Sequence, residues 1–394
     1  MNASSAPEMR TADVWLGRYA KLVVAMTFAL IVVGGHTTTA GAGMAFPDWP
    51  LSAGSLNPDG WWQDVMMRLE HSHRAIAGAT GVFIGILCAW VWRSVFSVPV
   101  SLAAGALGGF GAKAGGASAA VTALSGIIVA AVIFGVMLGV AARRDLAVRP
   151  AALRWLAFAA FLGVCAQAIL GGLRVILDPL GVAASDTSIA TTFRILHGCF
   201  AQFELCLVVI VAAMLSPIWH RLAPAPRLRG VTWLGWTTAA VIFGQLIVGA
   251  ALRHMGAGLA IPTWPAASPD GSWLPAVHNT FVNLHFTHTR VGVALVTLLV
   301  IALAWRSFGK AAGEVHIVRP AVLLLALLAA QVTLGLWVIW NARPPLLTTL
   351  HVVNGAALLA VTVLLAVRAG RAARLAGGHV ASQVSAPGLM EATS

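Results

Sequence analysis

The chain contains 394 residues, of which 59% are hydrophobic and 10% are charged. Soluble globular domains carry about 25% charged residues, so this composition excludes an ordinary soluble domain and indicates a membrane protein. The formal net charge is +12, yet the basic residues cluster at alternate ends of apolar runs, as the positive-inside rule requires. We therefore assign the charge to cytoplasmic loops and expect no nucleic-acid partner.

Continuous apolar runs of roughly 20 residues predict helices that cross the membrane many times. In chain order, eight core spans are predicted at residues 19–34, 70–92, 152–173, 192–215, 232–251, 285–305, 320–340 and 347–367. Residues 97–142 form a Gly- and Ala-rich insert in the first half. Because basic residues flank both ends of this insert, we interpret it as a hydrophobic hairpin that crosses twice or not at all.

These spans predict an all-α polytopic membrane protein made of two pseudo-symmetric four-helix bundles. The predicted domains are a cytoplasmic tail (1–18), a first bundle (19–215, with the insert 97–142), a cytoplasmic linker (216–231), a second bundle (232–368) and a disordered cytoplasmic tail (369–394). No short apolar segment with a cleavage site precedes the first span, so we expect no cleaved signal peptide. The four cysteines all lie inside apolar runs, where cysteine is usually an inert packing residue; they are Cys88, Cys165, Cys199 and Cys206.

The two halves of the chain repeat one another. The segment 41–50 matches the segment 256–265, which begins 215 positions later and ends in the same Trp-Pro pair. The same offset aligns Glu70-His71-Ser72-His73-Arg74 with His285-Phe286-Thr287-His288-Thr289. One register that covers a span, a loop and a histidine motif indicates a duplicated four-helix unit.

Each unit carries one histidine near the start of its second helix and one near the start of its fourth. The pairs are His73 with His197 and His288 with His351. Two imidazoles that face each other across four helices commonly hold the iron of a haem, so these four residues are the predicted metal ligands. A single histidine could instead bond to a neighbouring helix, but a pair repeated at equivalent positions favours a bound metal macrocycle.

Glu70 is the main asymmetry between the two units, because the second unit has His285 in its place. Glu70 lies three residues before His73 and therefore shares its helical face. We predict that it is catalytic and moves protons, stabilises developing charge or orients water. The alternative is an interfacial ion pair with Arg68 or Arg74. His71 is expected to face the loop, and His285 shares a face with His288.

Three arginines accompany the histidines and are predicted to contact haem propionates, with snorkelling at a helix end as the alternative; they are Arg74, Arg194 and Arg290. The loops Pro47–Pro50 and Pro262–Pro265 are predicted to cover the two sites, or to belong to an aromatic belt at the membrane interface. His36 and His254 lie close enough to the sites to be noted as minor candidates.

Together these motifs resemble the haem A synthase family. The resemblance rests on Gly34-Gly35, on Gly41-Ala42-Gly43-Met44 with Pro47-Asp48-Trp49-Pro50, on Glu70 to Arg74, and on His197, His288 and His351. It implies haem b in the second bundle and the substrate haem O in the first, where the C8 methyl is oxidised to a formyl group. It further implies delivery of haem A to cytochrome oxidase in a bacterial inner membrane, a haem O synthase partner and an electron donor. The distribution of basic residues predicts that both termini are cytoplasmic.

The chain departs from the family pattern at three positions. Phe46 and Ser52 stand where many bacterial members have cysteines, and Thr38 stands where many have arginine. Two other functions stay open: a di-haem b cytochrome that exchanges electrons with quinone, and a haem carrier. The Glu70/His285 asymmetry favours the enzyme, because an electron carrier needs no carboxylate beside one iron. Homo-oligomer formation is left open.

Overall fold

The computed structural model describes residues 11–143, 149–177 and 189–384, and these residues form helices and loops without a β-strand. The all-α class predicted for this membrane protein is therefore confirmed. The helices are α1 (Thr11–Thr39), α2 (Val65–Val91), α3 (Ser97–Ala114), α4 (Ala119–Arg143), α5 (Ala151–Leu177), α6 (Ile189–Met214), α7 (Pro217–Arg221), α8 (Arg229–His254), α9 (Thr280–Phe286), α10 (Val293–Lys310), α11 (Val315–Trp340) and α12 (Pro345–Val384).

Nine segments of the described chain are long and apolar enough to cross a membrane. Eight of them coincide with the predicted core spans, two of which end one residue beyond the segment, and the ninth is α4 in the insert. One of the eight, Thr280–Lys310, comprises α9, a π-helical stretch from Thr287 to Gly292, and α10. The predicted positions of the core spans are confirmed, although most helices extend beyond the apolar runs by several residues.

The long helices pack as two rings of four. In the first ring α1 contacts α2 and α6, and α5 contacts the same two helices, so α2 and α6 lie on a diagonal. The second ring repeats this order with α8, α10, α11 and α12, and there α10 and α12 form the diagonal. Contacts of α12 with α1 and α6, and of α6 with α8, join the rings. We call the end that carries the loops 40–64 and 255–279 the loop face.

At the loop face a polar contact ties the two rings together. Arg253 on α8 donates from Nη2 to the Gly35 carbonyl at 3.1 Å and to Thr39 Oγ1 at 3.0 Å. Thr39 Oγ1 also lies 2.9 Å from Thr349 Oγ1 on α12. Hydrogen bonds between helices replace contacts that water would otherwise provide, so this cluster fixes the relative position of the rings.

The insert forms the helical hairpin that its sequence predicts. Small residues of α3 are buried at every fourth position, at Ser101, Gly105 and Gly109, and the two glycines contact α4. A Cβ atom at Gly105 would lie 2.7 Å from the Gly126 carbonyl oxygen and 2.9 Å from Ala130 Cβ. Close backbone approach between small residues is a main source of helix association in lipid, and it explains how a glycine-rich segment becomes an ordered helix.

The substitution Gly105→Leu is expected to separate α3 from α4 and to lower the apparent melting temperature of the detergent-solubilised protein. Overpacking of a close contact typically costs about 1–3 kcal/mol. Gly111→Leu on the same helix is the matched control, because a Cβ atom at Gly111 has no neighbour within 4 Å among the described residues. Equal losses for both variants, measured by tryptophan fluorescence on heating, would contradict the close-packed hairpin.

The C-terminal tail differs from its prediction. Residues 369–394 were expected to be disordered, but α12 continues as a helix to Val384, and residues 385–394 lie outside the described part. Alanine and arginine are strong helix formers, and Ala369 and Ala372 are buried. The Ala372 carbonyl also accepts a hydrogen bond of 2.9 Å from the Ala225 amide of the predicted linker. Likewise α1 begins at Thr11, inside the predicted N-terminal tail.

Candidate haem-binding sites

The predicted histidine pairs lie on the diagonal helices of each ring. In the second ring, the ring centroids of His288 and His351 are 6.5 Å apart, and their planes are inclined by 74°. A metal–imidazole bond of about 2 Å on each side fits one metal ion between two rings at this separation. In the first ring, His73 on α2 and His197 on α6 occupy the equivalent diagonal and interact electrostatically. The structure therefore brings both predicted pairs together.

Each of the four imidazoles lies on a glycine of the preceding long helix. A Cβ atom at each glycine would come within about 3 Å of the histidine Cε1 atom, so a larger residue would displace the imidazole. The pairs and the resulting distances are Gly34 with His73 (2.7 Å), Gly171 with His197 (3.0 Å), Gly249 with His288 (2.7 Å) and Gly335 with His351 (3.1 Å). We call these four contacts the glycine–histidine pairs.

All four histidines share a second feature. Their side chains are partly accessible, yet each Nδ1 atom is buried and has no hydrogen-bond partner among the described residues. Buried polar atoms are normally paired, so four equivalent exceptions single out these imidazoles as functional candidates. The described residues contain no cluster of three or more His, Cys, Asp or Glu side chains. Two imidazoles per ring fit a haem, because the porphyrin supplies the other four ligands to its iron.

Three glutamines contact the candidate histidines, two of them at the main-chain carbonyl and one at the imidazole. Gln167 donates from Nε2 to the His197 carbonyl at 2.8 Å, and Gln245 donates to the His288 carbonyl at 2.7 Å. Gln331 Nε2 lies 3.3 Å from Nε2 of His351. Sequence reasoning did not assign them to the site. The dipeptide Ala166-Gln167 recurs as Ala330-Gln331 in the second half, and this match was a signal that could have found two of them.

Replacing Gly249 with alanine is expected to displace the His288 imidazole and to reduce the haem bound in the second ring by more than half. The added Cβ atom would stand 2.7 Å from His288 Cε1. The matched control is Gly244→Ala on the same helix, where a Cβ atom meets no described atom within 4 Å. The haem-to-protein ratio of each purified variant gives the measurement, and an unchanged ratio for Gly249→Ala would rule out the tight contact.

Glu70 is buried and ion-paired with Arg74, which is the alternative that the sequence left open. Only 3% of Glu70 is exposed. Arg74 Nη2 lies 2.5 Å from Glu70 Oε1, and the Phe46 amide donates to Oε2 at 3.0 Å. Arg74 also donates to the carbonyls of Phe46, Asp48 and Leu51 at 2.8, 2.7 and 2.5 Å. Arg74 thus fastens the first loop to α2, and its described hydrogen bonds serve the loop rather than a ligand.

Arg290 fastens the second loop in the same way. Its Nη2 atom donates to the carbonyls of Thr263 and Ala266 at 2.6 and 2.7 Å. These residues follow Asp48 and Leu51 by the repeat offset of 215, whereas Arg290 follows Arg74 by 216. The π-helical stretch Thr287–Gly292 accounts for the difference, because a π-helix accommodates an extra residue in one turn. Sequence alignment placed Thr289 opposite Arg74 and could not detect this shift.

The remaining predicted residues occupy the loop side of the sites. The Nδ1 atom of His71 lies 3.1 Å from Ser52 Oγ, and its ring centroid lies 4.6 Å from that of Trp61, so His71 faces the loop as expected. His285 is 1% exposed, and its Nδ1 lies 3.3 Å from Thr289 Oγ1. Arg194 on α6 precedes His197 by one turn and interacts electrostatically with His254.

Two further arginines were missed from the sequence. Arg174, in the last turn of α5, donates from Nη2 to the Gly43 carbonyl at 3.0 Å. In the second ring, Arg343 follows α11 and would contact a Cβ atom at Gly258. Gly258 matches Gly43 in the repeat, so each ring places one arginine against the same point of its loop. Both arginines lie at the loop-face end of the third helix of their ring. This position was the sequence signal that could have identified them.

The fold defines a polytopic membrane protein in which each of two helix rings carries a histidine pair that could hold a haem. Residues 122–363 match the family model described as cytochrome oxidase assembly protein. The chain belongs to this family. The match begins in α4 and ends in α12, so it includes three of the four candidate ligand histidines and leaves out the first loop and His73.

Named relatives extend the comparison. A heme A synthase of Symbiobacterium thermophilum is 33% identical over 224 residues, which cover 55% of this chain and 65% of the relative. One from Bradyrhizobium is 32% identical over 177 residues, or 40% of this chain and 47% of the relative. The matched stretches thus span about half to two thirds of these relatives. A heme A synthase of Geobacillus kaustophilus is 23% identical over 372 residues, which cover 92% of this chain and 94% of the relative.

Proposed function

We propose that the chain is an oxidoreductase that converts haem O into haem A for cytochrome oxidase, by oxidising the C8 methyl group to a formyl group. The names of its relatives and the two histidine pairs support this proposal. The observation that carries it is the asymmetry between otherwise equivalent sites. A buried carboxylate, Glu70, lies one helical turn from His73, whereas His285 occupies that position beside His288.

In this proposal, His73 and His197 hold the substrate haem, and His288 and His351 hold a resident haem b. Haem b, when bound, supplies one-electron transfer. The glycine–histidine pairs orient the imidazoles, and the glutamines keep the helices that carry them from rotating. Arg174 and Arg194 lie at the loop-face end of the first site, where a guanidinium can bind a propionate.

Glu70 is the group that holds or transfers a proton at the substrate site. Its two oxygens bind Arg74 and the Phe46 amide, so the carboxylate has a fixed direction beside His73. The same contacts close the loop 46–51 over the site and limit the access of water, which strengthens electrostatic interactions inside. Among the described residues His285 in the second ring forms no such ion pair, which fits a site that only holds a cofactor.

The remaining assignments belong to the same proposal. Both termini lie in the cytoplasm of a bacterium, and the loop face lies on the opposite side of its inner membrane, as the distribution of basic residues predicts. The domain limits at 19–215 and 232–368 separate the substrate bundle from the haem b bundle. A haem O synthase supplies the substrate, and a membrane electron carrier exchanges electrons with the resident haem.

Expression in a host that makes haem O but no haem A tests the proposed function. Extraction of membrane haems should yield a formyl haem, identified by its mass and its red-shifted haemochrome spectrum, only when the chain is present. The double variant His288→Ala/His351→Ala is the inactive control. Unchanged haem O together with a normal b-type spectrum would contradict the enzyme and favour an electron-carrying di-haem cytochrome.

A further inference from the structure

Glu204, in the membrane-spanning helix α6, is a buried carboxyl group that the proposed mechanism does not use. Only 3% of the residue is exposed, and both carboxyl oxygens are buried without a hydrogen-bond partner among the described residues. An acidic side chain inside a membrane span is costly and usually marks a functional position. The unpaired carboxyl oxygens of Glu204 therefore indicate a ligand that provides the missing hydrogen bond.

The chain makes room for this carboxyl group. A Cβ atom at Gly163 on α5 would collide with the Glu204 carboxyl group and lie 3.1 Å from its Cδ atom. The seam between α5 and α6 therefore holds two comparable contacts, Gly171 with His197 and Gly163 with Glu204. Glu204 follows His197 by seven residues, so it shares the same face of α6 about 10 Å farther from the loop face. Its side chain leans toward the helix N-terminus and hence back toward the histidine.

The second ring fills the same position with apolar side chains. The registers that pair Gln167 with Gln331 and His197 with His351 place Leu327 opposite Gly163 and Leu358 opposite Glu204. Leu358 belongs to the buried core, and Leu327 packs against it. The glycine–carboxyl combination thus occurs in the first ring and is replaced by two leucines in the second. The first ring is the one assigned to the substrate.

The two haems of the proposed function differ in the chemistry that this position could recognise. Haem O carries a hydroxyl group on its isoprenoid-bearing substituent, whereas haem b has a vinyl group there. The propionates favour the loop face, so the opposite edge of the macrocycle is directed along α6 toward Glu204. A carboxyl group at this depth would lie beside the hydroxyl group of haem O, whereas it would lie beside hydrocarbon alone in haem b.

We propose that Glu204 hydrogen-bonds the hydroxyl group of the isoprenoid-bearing substituent and thereby selects haem O over haem b for the first ring. This inference rests on the proposed function and names a specificity-determining residue for it. Haem b would leave the buried carboxyl group without a partner, and a site built to bond a hydroxyl group rejects an analogue that lacks it. Gly163 contributes by leaving the space in which the carboxyl group lies.

Competition between the two haems tests the inference. Purified protein that retains the haem of the second ring is mixed with equal amounts of haem O and haem b, and the haem taken up by the first ring is extracted and quantified. The wild type is expected to prefer haem O by at least about 10-fold, which is a lower value than the discrimination reached by dedicated hydroxyl-binding sites. The double variant Gly163→Leu/Glu204→Leu, which copies the second ring, is expected to lose this preference.

Two further variants complete the experiment. Glu204→Gln keeps hydrogen-bonding atoms and is expected to retain most of the preference, and Glu204→Leu alone serves if the double variant does not fold. The spectrum of the haem in the second ring reports folding in every case. A leucine variant that still prefers haem O overturns the role of Glu204. A wild type that binds no haem O in the first ring overturns the proposed function itself.

Discussion

The substitution His351→Ala is expected to remove the haem of the second ring and to leave haem binding in the first ring intact. The ring centroids of His351 and His288 are 6.5 Å apart, and in the proposed function each histidine supplies one axial ligand to the haem iron. A haem iron that loses one of two imidazoles loses its low-spin spectrum and much of its affinity. Absorbance spectra and haem-to-protein ratios of the purified variant provide the measurement.

Two comparisons make this result decisive. His278→Ala is the matched control, because His278 is an exposed histidine at the loop face and should leave both haems in place. His73→Ala should retain the resident haem b and lose binding of added haem O. Loss of haem b from His73→Ala, with retention in His351→Ala, would show that the two rings have the opposite assignments.

The substitution Glu70→Gln is expected to keep both haems and to slow formation of haem A by about 10²–10⁴-fold, the range typical for loss of a positioned acid or base. Glutamine can still accept a hydrogen bond from the Phe46 amide, so the loop should keep its position. The amide cannot, however, hold or transfer the proton of a carboxyl group. Conversion of haem O by purified protein with a supplied electron carrier measures the effect.

A structural role for Glu70 predicts a different pattern. Arg74 holds the loop through three carbonyls, so Arg74→Ala should loosen the loop even more than Glu70→Ala does. If Glu70 only supports Arg74, then Glu70→Gln should be nearly as active as the wild type, and Arg74→Ala should show the larger loss. Limited proteolysis of the loop 46–51 distinguishes a loosened loop from a chemical defect.

The sequence predicted those features that depend on one residue type or one period. Apolar runs located the eight core spans, and the offset of 215 placed His73 and His288 in equivalent positions. The contacts of Arg74 could not be predicted from the sequence, because main-chain carbonyl groups of a loop carry no sequence signal. The π-helical shift at Arg290 escaped detection because a one-residue change in helical register leaves no gap in an apolar span.

Other features were missed because their meaning depends on a neighbour. Glu204 lies in a continuous apolar run, and nothing in that run indicates that Gly163 opens a space beside it. The tail beyond residue 368 was interpreted from its polar and small residues, yet its helix is stabilised by contact with the linker at Ala225. The histidines were found by pattern, but their support by Gly34 and its three counterparts required the packed helices.

The glycine–histidine pairs have a consequence for how this architecture tolerates change. In each pair the supporting glycine lies on the long helix that immediately precedes the helix of its histidine. Two consecutive long helices therefore form one holder for a proposed iron ligand, and each ring is an assembly of two such holders. New segments can enter between holders without disturbing ligand geometry. The hairpin of α3 and α4 stands at such a junction, between the holder that carries His73 and the one that carries His197.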